Sequence, residues 1–359
     1  MTTHDDARGA EAPLSDDTKG PIGERLRDAA VALDRLRGAI GEVIVGQRAV
    51  VDHVLVGLLA GGHVLLEGAP GVGKTSLVRA LADGVALRFG RIQFTPDLLP
   101  ADILGAQVLT STAEGARGFA LHRGPIFCQV LLADEINRAS PRTQSALLEA
   151  MQEHAVTLAG ERHRLGPPFF VLATENPIEM EGTYPLPEAQ LDRFLLKVLV
   201  HEPSEDDLVA VLTRTTGSLP QTVPQVLDAD TLHGLQSLCR EIAVSDAVAR
   251  YAARLVRASN PASPEAPALV KRAVRYGAGV RGAQALVLGG RAMALMDGRA
   301  QVGFADVAAV APAALRHRVL RSYEGESDGV SPDAVVQALL DAVPARPDAV
   351  ERALRERDR

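Results

Sequence analysis

The segment that most constrains this chain is the glycine-rich stretch from Gly68 to Thr75, which reads GAPGVGKT. It fits the pattern G-x-x-x-x-G-K-[ST] of a loop that wraps the phosphates of a nucleotide. Its glycines allow a tight backbone turn that points N–H groups at an anion. An apolar run precedes the loop and a helical segment follows it, so the sequence predicts the strand, loop and helix that phosphate binding requires.

All residues of this loop are predicted nucleotide contacts. We expect Lys74 to reach the β- and γ-phosphates and the Thr75 hydroxyl to ligate Mg²⁺. The N-terminus of the following helix adds the positive end of its dipole to the anion site. The predicted nucleotide-binding residues of this stretch are Gly68, Ala69, Pro70, Gly71, Val72, Gly73, Lys74, Thr75 and Ser76.

Composition narrows the class of protein. The 359 residues carry a net charge of −7, which gives no general basic footprint for nucleic acid. Aromatic residues make up 3% of the chain and tryptophan is absent, which argues against a stacking platform for single strands. Cys128 and Cys239 lack metal-ligand spacing and are expected to be buried, reduced thiols.

The sequence also bears on location. No apolar run reaches the length of a transmembrane helix, and the polar residues 1–20 contain no apolar signal region. We therefore predict no membrane span, a cytoplasmic location and a disordered tail over residues 1–20.

Apolar periodicity predicts an α/β core over residues 21–200, with a helix that begins near Ile22. Buried strands are predicted at Val64–Glu67, Arg91–Phe94, Val130–Ala133 and Phe169–Ala173. Strands that alternate with helices are typical of a parallel sheet.

From residue 201 strand-like runs disappear, which predicts a second, all-α domain over residues 201–343 and a charged tail over 344–359. Its predicted helices are Asp206–Thr215, Asp228–Ala243, Ser245–Ala258, Arg281–Met296, Ala305–Leu320 and Ser331–Val343.

Two carboxylates, Asp134 and Glu135, end the predicted strand at Val130–Ala133. Ligands bind at that edge of open α/β sheets, so we expect Asp134 to hold Mg²⁺ through water and Glu135 to polarise the attacking water. Adjacent residues of an extended chain point to opposite faces, which lets the pair take different roles. The alternative is a pair that caps the helix after Ser140.

Asn176 follows the predicted strand at Phe169–Ala173. Its amide is expected to hold the lytic water and touch the γ-phosphate. The alternative is a turn residue, since asparagine also favours the position before Pro177.

Arg193 follows a short helix near the end of the α/β core. A planar, permanently charged guanidinium suits the charge that develops during phosphoryl transfer, and it could act across a subunit boundary. A surface ion pair with Asp192 or Glu188 explains the spacing equally well.

Over residues 40–340 the chain resembles AAA+ ATPases, and more closely the MoxR family. The strings that carry the resemblance include Gln93–Pro100, Gly124–Phe127, Leu132–Arg138, Thr143–Met151, Pro177–Glu179 and Glu181–Phe194. The fold that it implies is a P-loop AAA+ parallel-sheet ATPase domain with a C-terminal all-α lid domain.

The resemblance also implies individual roles. Asn176 is similar to the sensor-1 residue, Arg193 to the arginine finger that reaches the next subunit, and Arg281 to the sensor-2 arginine of the lid. Before Arg281 the family pattern reads Ser-Pro, whereas this chain has Gly279 and Val280. Gly46 and Gln47 are similar to the segment that lies against adenine, and the finger implies a ring, usually of six subunits.

Two insertions are expected as hairpins, at 101–123, interrupting the second helix, and at 156–165 with Gly160 in the turn. In related rings both project toward the pore or the partner face, so Arg162, His163 and Arg164 could face a client. A solvated basic hairpin is the alternative.

The implied function is Mg-dependent ATP hydrolysis by a ring-forming, chaperone-like ATPase that remodels or activates a protein partner. The resemblance suggests a partner with a von Willebrand factor A domain, in metal-cofactor insertion or complex assembly. The alternative is a nucleic-acid or chelatase-type motor of the same branch, and a nucleotide-gated binding module without turnover is a third reading.

Overall fold

The computed structural model describes residues 21–111, 117–177, 183–215 and 222–345. The predicted disordered tail and nearly all of the predicted charged tail lie outside the described residues, as does part of the string Glu181–Phe194. In the part of the chain that is described, no helix is long and apolar enough to cross a membrane.

The N-terminal part alternates strands and helices around one sheet. Its elements are α1 (Ile22–Val43), α2 (Arg48–Ala60), β1 (Val64–Gly68), α3 (Lys74–Gly84), β2 (Phe89–Gln93), α4 (Pro100–Leu104), β3 (Gly105–Ser111), β4 (Arg117–Arg123), β5 (Val130–Asp134), α5 (Pro141–Glu153), β6 (Ala155–Leu158), β7 (Glu161–Arg164), β8 (Phe170–Glu175), α6 (Glu188–Leu191) and β9 (Leu196–Val200).

The C-terminal part is mainly helical and matches the predicted lid in class. Its elements are α7 (Glu205–Thr215), α8 (Ala229–Glu241), α9 (Asp246–Ala258), α10 (Ala268–Ala273), β10 (Val274–Tyr276), α11 (Val280–Met296), α12 (Phe304–Leu315), β11 (Leu320–Arg321), α13 (Tyr323–Ser327) and α14 (Pro332–Ala342).

The central sheet is parallel, with strand order β2-β5-β8-β1-β9. Four of its strands, β1, β2, β5 and β8, are those that the sequence predicted. The fifth, β9, was not predicted, because Lys197 interrupts its apolar run. Only alternate residues of β9, Leu196, Val198 and Val200, are buried, as is typical of an edge strand.

Helices cover both faces of this sheet. Leu66, Leu132 and Leu172 pack into the same apolar cluster as α1, α2, α3 and the lid helices. Leu65 and Ala133 point to the other face, into a second cluster that includes α5. Burial on both faces explains why these strands read as continuous apolar runs.

The prediction of a purely α-helical lid was incomplete. β10 and β11 form a small antiparallel ribbon within it. Their lengths of three and two residues are too short to leave a periodic signal in the sequence.

Two antiparallel hairpins leave the core. β3 pairs with β4 and β6 pairs with β7, and the second turns through Ala159 and Gly160, both with positive φ. Between β2 and the first hairpin the chain forms one helix, the five-residue α4. In the described residues no helix lies between this hairpin and β5. The first hairpin therefore follows a single helical turn rather than interrupting a long helix.

We expect stability to fall in mild acid because of His63. Its Nδ1 accepts from the Val171 N–H and its Nε2 donates to the Met151 carbonyl, both at 3.1 Å. Burial lowers the pKa of His63 to about 4, so between pH 6.5 and 4 the unfolded chain binds a proton that the folded chain rejects. The loss from pH 7 to pH 5 is about 2 kcal/mol.

Urea unfolding at pH 7 and pH 5 measures this loss. H63Q should be less stable at pH 7 yet lose less stability on acidification, whereas H233Q, at an exposed histidine of α8, should follow the wild type. Parallel pH profiles for H63Q and the wild type would remove His63 as a source of acid sensitivity.

Candidate active site

Parallel pairing brings the ends of three strands together. β1 ends at Gly68, β5 at Asp134 and β8 at Glu175, and β8 lies between the other two. The carboxyl ends of parallel strands share one edge of the sheet. Asn176 therefore lies between the Asp134 strand and the glycine-rich loop, and its side chain is buried.

The glycine-rich loop has the predicted strand–loop–helix form. It connects β1 to α3, whose first residues are Lys74, Thr75 and Ser76. Gly71 and Gly73 have φ values of 81° and 85°, in the left-handed region that glycine adopts without strain. Ala69, Pro70 and Val72 complete the turn, of which Val72 alone is buried.

Lys74 is held at the mouth of this loop. Its Nζ donates to the Gly68 carbonyl at 2.6 Å and to the Glu175 carbonyl at 3.2 Å. Burial lowers the pKa of Lys74, and the carboxylates of Asp134 and Glu135 act in the opposite direction. An ammonium bonded only to neutral carbonyls is available to an anion in the loop.

Asp134 is fixed by partners on both sides. Its Oδ1 accepts from the Thr174 hydroxyl at 2.7 Å, and its Oδ2 accepts from Arg91 Nη2 at 2.7 Å. The Thr174 hydroxyl also accepts from the Glu135 N–H at 2.8 Å. One buried hydroxyl thus orients both adjacent carboxylate residues.

Glu135 is not extended. Its φ and ψ are 58° and 50°, a left-handed conformation that is rare for residues with a side chain. The expectation that alternation along a strand separates the two carboxylates was therefore wrong. The strand ends at Asp134, and the backbone turn at Glu135 separates the two side chains.

The Glu135 carboxylate has partners of its own. Its Oε2 accepts from Gln93 Nε2 at 2.7 Å and from Arg138 Nη1 at 2.9 Å. The alternative that the acidic pair caps the helix after Ser140 is wrong, because Ser140 itself is the N-cap of α5. Glu135 precedes a short 3-10 turn, Ile136–Arg138, but its side chain makes no capping bond there.

Sequence reasoning missed Arg91, Gln93, Arg138 and Thr174. Gln93 ends β2, which pairs with β5 so that Gln93 lies beside Asp134. The available signal was the two polar residues, Arg91 and Gln93, within the predicted strand Arg91–Phe94, but the order of strands in the sheet could not be inferred from the sequence.

A cleft of about 290 Å³ lies between the core and the lid. Gly46 and Gln47 line it from the core, and Pro312 and Ala313 of α12 line it from the lid. Gln47 Nε2 donates to the Val72 carbonyl at 2.8 Å, which ties the cleft to the glycine-rich loop. Gly46 has a φ of 75°, and a Cβ there would lie 2.2 Å from the carboxyl carbon of Asp207, so both the backbone and the available space favour glycine.

Arg281 lies near the amino end of β9, at the end of the sheet opposite the glycine-rich loop. Its Nη1 is 3.8 Å from Oδ2 of Asp192, whose Oδ1 accepts from Arg318 Nε at 2.7 Å. Asp192 precedes β9, which runs parallel to β1 with Leu196 opposite Val64 and Val200 opposite Gly68. The length of β9, about 13 Å, therefore separates this ion pair from the end of β1 at Gly68. The structure does not bring Arg281 to the glycine-rich loop of its own chain.

Arg193 lies on the same side as Arg281. It lines a second cleft with Ser145, Glu149 and Gln190, next to Asp192. Asp192 pairs with Arg318 and Arg281. Among the described residues Arg193 forms no ion pair with Asp192 or Glu188, the two partners that the alternative reading offered. The glycine-rich loop and the two arginines therefore lie at opposite ends of the strands.

Family models match both parts of the chain. The model for the ATPase family associated with various cellular activities (AAA) matches residues 63–196. The model for the AAA lid domain matches residues 266–339. The first match contains the glycine-rich loop, Asp134, Glu135, Asn176 and Arg193, and the second contains Arg281.

Several curated proteins are similar over most of their length. Chaperone MoxR1 of Mycobacterium tuberculosis is 42% identical over 89% of this chain and 84% of its own. Protein MoxR of Paracoccus denitrificans is 35% identical over 89% and 94%. A crystal structure from Cytophaga hutchinsonii, of a protein provisionally described as an ATPase, superposes with a TM-score of 0.83 at 35% identity and covers 89% of this chain and 97% of that chain.

We expect T174V to destabilise the fold, because valine keeps the shape of threonine but removes the hydroxyl. The change leaves the Glu135 N–H and one oxygen of Asp134 without this partner, at a cost of about 2–3 kcal/mol. Urea unfolding compares T174V with T174S, which keeps the hydroxyl and should lose less than half as much. Equal losses in the two variants would mean that the methyl group, and not the hydroxyl, carries the role of Thr174.

Proposed function

Because the chain belongs to the MoxR family of AAA+ ATPases, we propose that it hydrolyses ATP in a ring of identical subunits and uses the change in ring geometry to remodel a protein partner. The observation that carries this proposal is the convergence of Lys74, Asp134, Glu135 and Asn176 at one edge of the sheet. The printed name of the relative Chaperone MoxR1 supports a protein as the object of the work.

ATP binds across the cleft between core and lid. Gly46 and Gln47 lie against the base, and the N–H groups of the loop and the N-terminus of α3 receive the phosphates. Lys74 exchanges its two carbonyl partners for phosphate oxygens, which gives a stronger, charge-assisted bond. Because α12 lines the same cleft, binding of ATP changes the position of the lid.

Mg²⁺ fits the residues present. The Thr75 hydroxyl and the Asp134 carboxylate offer the oxygen ligands that this ion prefers. Both oxygens of Asp134 already accept hydrogen bonds from Thr174 and Arg91, which favours its contact with the ion through water. When bound, the ion supplies positive charge against the β- and γ-phosphates.

Glu135 orients and polarises the attacking water, and Asn176 holds that water against the γ-phosphate. Little covalent chemistry is required of the protein, so positioning dominates. Gln93 and Arg138 occupy the same oxygen of Glu135. Since both bonds go to Oε2, Oε1 is the oxygen of the carboxylate that takes the water.

Arg193 and Arg281 complete the site of the neighbouring subunit. Both lie at the edge of the sheet that faces away from the phosphate loop of their own chain, where neither can reach its γ-phosphate. A head-to-tail ring joins the arginine-bearing end of one subunit to the phosphate-binding end of the next. Two guanidiniums then neutralise the developing charge in trans.

The partner is proposed to be a protein with a von Willebrand factor A domain, in metal-cofactor insertion or complex assembly. The ring is proposed to contain six subunits and to work in the cytoplasm. These finer statements rest on the family alone.

We expect E135Q to bind ATP and to lose turnover by at least about a hundredfold, because glutamine keeps the shape of the side chain but cannot act as a base. Binding of a fluorescent ATP analogue and phosphate release measure the two properties separately. E24Q, at an exposed position of α1, serves as the matched control and should be fully active. Hydrolysis by E135Q at the wild-type rate would exclude Glu135 from the mechanism.

We expect inactive subunits to rescue each other when mixed. R193A supplies an intact Lys74, and K74A supplies an intact Arg193, so random rings contain complete sites at about a quarter of their interfaces. Phosphate release by a 1:1 mixture should approach that fraction of wild-type activity, although each variant alone is inactive.

The same mixture with R281A in place of R193A decides where Arg281 acts. Rescue by K74A subunits is expected, because each then supplies what the other lacks. If Arg281 instead served its own nucleotide, no subunit in that mixture would hold a complete site and no activity would return.

A further inference from the structure

A cluster of three partly buried charges lies next to the phosphate loop. Glu175, Glu67 and Lys197 come from the adjacent strands β8, β1 and β9. Glu67 pairs in register with Glu175, and Lys197 pairs with Leu65, two residues before Glu67. Side chains two residues apart on a strand share a face, so all three side chains extend from the same face of the sheet.

The ammonium of Lys197 bridges the two carboxylates. Its Nζ is 2.5 Å from Oε2 of Glu67 and 3.6 Å from Oε2 of Glu175. The side chains of Lys197, Glu67 and Glu175 are only 16%, 28% and 14% exposed. Removing charges from water is costly unless they are well paired, so this cluster differs in kind from a surface ion pair.

The charge balance within the cluster depends on Lys197. Burial raises the pKa of Glu175, and the Lys197 ammonium acts in the opposite direction. Neighbouring strands lie about 4.8 Å apart, and like charges at opposed positions destabilise a strand pair. Without Lys197 the carboxylates of Glu67 and Glu175 would face each other across β1 and β8. The Lys74 ammonium also lowers the pKa of Glu175, but its hydrogen bonds go to the carbonyls of Gly68 and Glu175 and not to the carboxylates.

The cluster is joined to the site through the main chain. Glu67 immediately precedes Gly68, the first residue of the phosphate loop, and Glu175 immediately precedes Asn176. Lys74 Nζ donates to the carbonyls of Gly68 and Glu175. The same two strand ends are therefore joined by Lys74 through carbonyls and by Lys197 through carboxylates.

We propose that Lys197 is a positioning residue for ATP hydrolysis, which clamps Glu67 and Glu175 and so sets the spacing between the phosphate loop and Asn176. It touches no nucleotide and acts through the two carboxylates, from the body of the sheet. The Lys197 carbonyl accepts from Arg316 Nη1 at 3.0 Å, and Arg316 lines the core–lid cleft. The clamp is thus anchored to the lid as well. This role rests on the ATPase function proposed above.

The test uses charge rescue. K197M keeps the length and apolar stem of the side chain but leaves two carboxylates facing each other, and kcat should fall on the order of tenfold or more. E175Q/K197M removes one of the two charges and should recover kcat to within about threefold of E175Q alone. A residue that only filled space would not be rescued by a change of charge on its neighbour.

K271M is the matched control, because Lys271 is an exposed lysine of α10 in the lid, and it should retain wild-type kcat and KM. Wild-type kcat in K197M, or a K197M defect that E175Q leaves in place, would overturn the clamp while active wild-type protein keeps the ATPase proposal intact.

Affinity for a fluorescent ADP analogue gives a second readout that does not need turnover. K197M should bind more weakly and E175Q/K197M should regain affinity, even if the wild type hydrolyses nothing and the ATPase proposal fails. If K197M does not fold, the double variant decides alone: folded protein with kcat near that of E175Q supports the clamp, and folded but inactive protein overturns it.

Discussion

Parallel pairing of β5, β8 and β1 is the constraint on which the rest of this structure depends. It brings Asp134, Glu135, Asn176 and the phosphate loop to one edge of the sheet, although they are far apart in the sequence. The strands are buried on both faces, so the hydrophobic effect that stabilises the sheet also fixes the geometry of the polar residues at its edge. The Thr174 hydroxyl then refines that geometry, because it bonds both Asp134 and the backbone of Glu135.

The same parallel arrangement gives the subunit two different ends. The glycine-rich loop, Asp134, Glu135 and Asn176 gather at the carboxyl ends of the strands, whereas Arg193 and the ion pair between Arg281 and Asp192 lie beyond the amino end of β9. Under the proposed function, neither end is a complete catalytic site. Assembly is then part of the chemistry, because the cations that neutralise the transition state come from another copy of the chain.

Partly or fully buried ion pairs lie at both ends of the strands. Lys197 bridges Glu67 and Glu175 on the residues just before the loop and Asn176, and Arg318 is buried against Asp192 at the other end. Each pairs a cation with carboxylates at a point where a strand enters or leaves the sheet. Such pairs contribute little net stability compared with apolar packing, but their geometry fixes where the adjoining backbone lies.

Local patterns in the sequence determined much of this protein. The pattern GAPGVGKT, the apolar runs that end at Asp134 and before Asn176, and the resemblance to the MoxR family predicted the fold class, which is confirmed. They also predicted the residues that we propose to bind phosphate. Features that depend on the order of strands in the sheet could not be predicted from local patterns. They are the strand β9, the bonds of Gln93 to Glu135 and of Arg91 to Asp134, and the Lys197 cluster. Only the tertiary structure decided that Glu135 leaves the strand in a left-handed turn and that Arg281 lies away from its own phosphate loop. The physical reason is that spacing along a chain encodes local conformation, whereas contacts between distant segments are set by how the strands and helices pack.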